Sequence, residues 1–178
     1  MFIDESGLLL APVVRRSWSP RGQTPILYQR GRARDKVSII AALTLSPRRR
    51  HTGLYFSLRA HENVTTAWLV PFLRALARHL RGPFILVWDR LTGHRARVVT
   101  AYLHRRHRAV ALLPPYAPEL NPVEPVWSNL KRSLANLVKQ DIDQLTTLVK
   151  TRLRRMQYQP GLLDGFLAKT RLDLTPLQ

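Results

Sequence analysis

The stretch "FILVWDRLTGHRARVVTAYLHRRHRAVALL", residues 84–113, decides the fold. It opens on an apolar run without polar alternation that ends in Asp89. That pattern suits a strand buried on both faces. Val98, Val99, Tyr102 and Leu103 follow at helical spacing and are expected to face inward. "AVALL", residues 109–113, reads as a second buried strand. Strand, helix, strand makes a βαβ unit with a right-handed crossover. It sets Asp89 at the carboxyl end of a parallel strand, where sites of open α/β sheets gather.

Upstream, "FIDESGLLLAP", "ILYQ", "KVSIIAALTLS" and "GLYFSLR" each predict a strand, and short loops make them an antiparallel meander. Residues 63–80 carry a helical pattern, in which Pro71 is expected to kink or break the helix. Downstream, "LLPPYAPELNPVEPVWSNLKR" runs from a proline loop into a long amphipathic helix with Val123, Val126, Trp127, Leu130, Leu134, Leu137 and Val138 inward. A last helix is expected over 143–157, and "PGLLDGFL" reads as a short tail able to pack back. The expected fold class is α/β: a mixed sheet, antiparallel meander plus βαβ, flanked by helices. The expected division is a domain over 1–158 and a tail over 159–178.

The 178 residues suit one domain with its own core. There is no cysteine, which excludes disulfides and thiolate zinc sites. No stretch approaches the roughly 20 apolar residues of a membrane span, and the start "MFIDESG" is acidic, unlike a signal peptide. The net charge is +18, and 24 of the 29 basic residues are arginine. A GC-rich genome accounts for arginine over lysine but not for the net charge. A field this positive points to a polyanion, and nucleic acid is the first candidate.

Against that background three carboxylates stand out. Asp4 lies on the first strand, Asp89 ends a buried one, and Glu124 opens a helix. Converging carboxylates repel unless a cation sits between them, and hard divalent cations take oxygen ligands. Two such ions activate an attacking oxygen and stabilise a leaving one in phosphoryl transfer. Each residue also has a plain reading. Asp4 and Glu5 suit a solvated strand end, and Asp89 suits the cap of a turn. Asn121-Pro122-Val123-Glu124 suits a capping box with Asn121 as N-cap. Glu119 reads as a turn residue.

At these motifs the chain resembles the DDE transposases of bacterial insertion sequences, in the branch related to the mariner superfamily. "FIDESG" with Asp4, "LVWDRLTGHR" with Asp89 and "LPPYAPELNPVEPVWSNLKR" with Glu124 carry the resemblance, in order and over nearly the whole chain. It implies a ribonuclease-H-like fold and a strand transferase that needs Mg²⁺ or Mn²⁺, two ions, held by Asp4, Asp89 and Glu124. It further implies double-stranded DNA as partner, transposon ends and a target with a TA preference, and a homodimer in a synaptic complex in a bacterial cytoplasm. Two residues are expected to support the site: His94 matches a recurrent histidine of the second motif, and Asn121 starts the third. Arg90, Arg95, Lys131 and Arg132 are candidate phosphate contacts.

Two departures qualify the resemblance. Arg90 stands where relatives commonly carry asparagine. Relatives also carry N-terminal helix-turn-helix modules, which are not visible here; the first strand reads as clipped and a separately encoded half as a partner. A non-catalytic DNA-binding remnant and a host nuclease of the same fold are the rival readings. His104 and His107 have ligand spacing, but the arginines between them oppose a cation. For Trp18, in a basic loop, packing is the simpler reading and base stacking the other.

Overall fold

The structure is a computed structural model that describes residues 1–11, 13–28, 35–46, 51–80, 82–91, 93–94, 96–105 and 109–172. Among these, five strands form one sheet: β1 (Phe2–Leu9), β2 (Lys36–Leu45), β3 (Thr52–Ala60), β4 (Ile85–Trp88) and β5 (Ala109–Leu112). The order is β3-β2-β1-β4-β5. The first three strands are antiparallel neighbours, with Asp4 opposite Ala41. β4 then lies parallel to β1, with Phe2 opposite Val87, and β5 lies parallel to β4. The expected meander and βαβ unit therefore share one mixed sheet.

Helices cover both faces. α1 (Thr66–Leu80) and α2 (Arg97–Arg105) lie on one, and α3 (Glu124–Ser133), α4 (Ile142–Gln157) and α5 (Pro160–Ala168) on the other. Strand alternation feeds two cores. Val37, Ile39, Ala41 and Leu43 of β2 pack with Val126, Leu130, Val149 and Leu153. Ile40 and Ala42 pack with Trp68, Leu73, Leu86 and Trp88. Leu163, Phe166 and Leu167 of α5 belong to the first core, so "PGLLDGFL" is a packed helix.

Several expectations are corrected. Ile26 and Tyr28 of "ILYQ" are in no strand and are exposed, since β2 already occupies the free edge of β1; Gln29 lies outside the described residues. Trp18 is fully exposed rather than packed. α1 runs through Pro71 unbroken; Trp68 and Phe72 are buried on either side of the proline and hold the helix to the sheet. β5 is an exposed edge strand, because only β4 flanks it. Val98 faces solvent; Val99 and Leu103 alone of the expected α2 set are buried.

α3 is shorter than its apolar pattern. It ends at Ser133, and Asn136 adopts φ +57°, a left-handed conformation that stops a helix. Leu137 and Val138 lie beyond it, half-exposed. The buried Lys139 Nζ donates to the Leu134 carbonyl at 3.1 Å and closes the helix end. The start also differs. Glu124 is the first helical residue after Val123, and no capping-box bond forms. Instead the Asn121 Oδ1 accepts from the Val123 N–H at 3.2 Å, and the Asn121 carbonyl from the Glu124 N–H at 3.0 Å. Asn121 shapes the turn before the helix.

Candidate active site

Alternation on β1 sends Asp4 and Glu5 to opposite faces of the sheet. Asp4 shares a face with Phe2 and Leu8 and meets α3. Its Oδ2 accepts from the Trp127 indole N–H at 2.8 Å. It is 7% exposed, and its pKa is pushed up to about 7. Burial is the main cause; the Trp127 bond pulls the other way, and the charges of Glu124 and Glu5 add to the rise. Two carboxylates thus oppose one another across β1 and the first turn of α3.

Glu5 meets the loop between β4 and α2. His94 is 3% exposed and stacks on Trp88, with ring centroids 4.2 Å apart and planes 1° from parallel. Its Nε2 lies 2.8 Å from Glu5 Oε1 and its Nδ1 2.8 Å from Asp89 Oδ1. A neutral imidazole has a single N–H to donate, so a ring with a carboxylate close to each nitrogen is better matched to imidazolium. Burial, the largest single influence, lowers the His94 pKa, but the Glu5 bond and the charges of Glu5 and Asp89 together raise it. Asp89 Oδ1 also accepts from the Leu91 N–H at 3.0 Å. Asp89 therefore caps its turn and is held by His94 at once.

Asp4, Asp89 and Glu124 line one cleft of about 490 Å³, with Arg90, Asn121, Tyr116 and the prolines of the 114–118 loop. Tyr116 sits at φ +56° with its ring fully exposed. Such strain in a non-glycine residue clusters at functional sites. Among the candidate phosphate contacts, Arg90 is exposed and lines the cleft. Lys131 lines a separate hollow beside Leu8 and Lys139, and Arg132 is exposed outside the cleft lining. Arg95 lies outside the described residues.

The carboxylates fit a hard cation in kind. All are oxygen donors on one cleft, and burial beside Glu124 disfavours the ionised form of Asp4, with the Trp127 N–H only partly offsetting it. Among the described residues no three His, Cys, Asp or Glu side chains form a ready cage. The set is open-sided, the kind that Mg²⁺ completes with water and substrate oxygens. Glu5 is the residue that sequence reading missed. Its side chain is 11% exposed, not a solvated strand end, and its Oε2 is buried without a hydrogen-bond partner among the described residues. Trp127 was expected as core, which it is, but its indole N–H also holds Asp4. The available signal for Glu5 was strand alternation beside Asp4.

Comparison with known proteins bears on this arrangement. The family model described as "DDE superfamily endonuclease" matches residues 1–148. The Transposable element Tc1 transposase of Caenorhabditis elegans is 26% identical over 140 residues, 79% of this chain and 50% of that protein. The mariner Mos1 paired-end complex with Mg aligns at TM-score 0.64 and 17% identity, covering 96% of this chain and 52% of that one. The catalytic domain of Mos1 mariner transposase aligns at TM-score 0.55 and 16% identity, covering 95% and 81%. The chain thus spans about half the length of the full relatives it matches. The structural likeness gives the fold, a ribonuclease-H-like mixed sheet flanked by helices.

Proposed function

Because this chain belongs to the DDE superfamily endonucleases, we propose that it is a transposase catalytic domain that cuts DNA strands and joins a freed 3′ end to a target. One observation carries the reading: Asp4, Asp89 and Glu124, from three separate elements, line one cleft. Sequence distances of 85 and 35 residues collapse there onto a single surface.

The chain's own residues have distinct tasks. Trp127 fixes Asp4 by its Oδ2, which leaves the other oxygen for a ligand. Leu91 and His94 fix Asp89 by its Oδ1, which leaves Oδ2. The Asn121 turn aims the first residue of α3, Glu124. Arg90 at the rim suits a phosphate oxygen of the substrate. Held by Asp4, Asp89 and Glu124, divalent ions would activate the attacking oxygen and stabilise the leaving one. Solved Mos1 complexes are described with Mg and with Mn, which supports the same ions here.

The reading extends to finer points. The three motifs support the bacterial insertion-sequence branch and a TA target, with the work done in a bacterial cytoplasm. Two ions, a pair of chains holding two transposon ends, and a helix-turn-helix part supplied in cis or in trans complete the proposal. Paired-end complexes of Mos1 support the pairing. The experiment is nicking of supercoiled plasmid by the purified chain with Mn²⁺, with EDTA, and with Asp89→Ala. Nicking that needs metal and vanishes in the variant is expected. Salt-sensitive DNA binding without nicking would favour the remnant reading, and nicking unchanged in the variant would overturn the site.

A further inference from the structure

The molecule carries a basic concavity apart from the carboxylate cleft. An open groove of about 900 Å³ runs between α1 and α2, lined by Arg74, Arg78 and Arg105 with Ala77, Ala101 and Tyr102. All three arginines are exposed, and Arg74 lies over the Tyr102 ring at 5.8 Å. Among the described residues, no carboxylate lines the groove. The reason is visible in the sequence: from Asn63 to Pro118 the chain has nine arginines and a single carboxylate, Asp89. Elsewhere the acidic residues are interspersed, with Glu119, Glu124, Asp141, Asp143 and Asp164 among the basic residues of the C-terminal helices.

The topology directs this groove. β3 and β4 point the same way, so α1, which joins them, runs back along the sheet. α2 joins the parallel strands β4 and β5 and runs back as well. The helices are thus parallel, and the Val70 and Val98 end of the groove lies at the end of the sheet where Asp89 leaves β4. Arg74 and Arg78 follow one helical turn apart, about 6 Å along the axis. Ala77 and Ala101 keep the floor low enough for a chain to approach. Guanidinium groups in a row, without competing carboxylates, are matched to successive phosphates.

We infer that the α1–α2 groove is a second DNA-backbone site, which holds a strand by Arg74, Arg78 and Arg105 as it runs from the carboxylate cleft. The inference rests on the DNA-processing reading above but not on its chemistry. Each phosphate contact contributes about 0.9 to the slope of log affinity against log salt. The test is binding of a 30-base-pair duplex to the full chain in EDTA across a potassium chloride series. The groove variant R74Q/R78Q/R105Q is compared with K150Q/R154Q/R155Q, which removes equal charge from exposed positions on α4. The expected result is a slope about 2–3 shallower in the groove variant and little changed in the control. Single variants R74Q and R105Q should each lose about 0.9, which guards against a misfolded triple. Equal losses in both triples, or none in the groove variant, would overturn the site. Polyglutamate competing as well as the duplex for the wild type, but not for the groove variant, would assign the groove to an acidic protein and likewise overturn it. Because EDTA silences the chemistry, plasmid nicking can fail while this site stands, and the reverse.

Discussion

Asp4 and Glu5 are adjacent in the chain and live in different worlds. Asp4 faces α3, where a single indole N–H meets it and Glu124 opposes it. Glu5 faces the loop between β4 and α2, where His94 answers its charge and passes the contact on to Asp89. One face leaves a buried carboxylate uncompensated; the other closes a carboxylate–imidazole–carboxylate bridge against an indole. The difference teaches how such a site is divided. On the proposed function, the first face is where a cation would be held, and the second is where Asp89, on an exposed loop, is fixed in place.

The largest effect should come from removing the uncompensated charge. The usual carboxyl pKa of 3.8 is raised to about 7 in folded Asp4. Between those values the unfolded chain has lost its proton and the folded one keeps it. Stability therefore falls as pH rises from about 4 to about 7 and then levels. At about 1.4 kcal/mol per unit this amounts to about 4 kcal/mol. Asp4→Asn should abolish nicking yet stabilise the metal-free chain by a few kcal/mol at pH 8 and little at pH 4, read by urea unfolding in EDTA. A variant less stable than wild type at pH 8 would break the comparison. Glu5→Gln tests the other face. Partners that orient metal ligands typically matter by about 10–100-fold in affinity. We expect Mn²⁺ binding, read by electron paramagnetic resonance, to weaken in that range while the fold persists. Unchanged Mn²⁺ affinity would make the bridge purely structural. Trp127→Phe should have the smallest effect, with about 1 kcal/mol for the lost bond. Its signature is directional: the midpoint of the pH-dependent stability loss should move above that of the wild type, because the bond that favours ionised Asp4 is gone.

How much of this was legible in the sequence follows from the range of the forces involved. The 84–113 stretch announced β4, α2 and β5, because hydrophobic periodicity and a strand-ending aspartate are local signals. The exposure of β5 was not legible, since "AVALL" reads the same whether one or two strands flank it. Pro71 reads as a kink or a break because local propensity holds no trace of the buried Trp68 and Phe72 that keep α1 continuous. α3 overran its true end because Leu137 and Val138 continue its apolar spacing, while the left-handed turn at Asn136 and the folding back of Lys139 depend on the finished core.

The candidate site divides in the same way. By itself, the sequence determined the three acidic motifs, their order, the mixed sheet that would carry them and the positive field around them. Those are matters of residue type and spacing. Only the tertiary structure decided that Asp4 shares a cleft with Glu124, that His94 bridges Glu5 to Asp89, and that Trp127 reaches 123 residues back along the chain to hold a buried carboxylate. Such contacts join residues far apart in sequence, and burial sets the protonation of the carboxylate they hold. Neither exists until the sheet is closed on both faces.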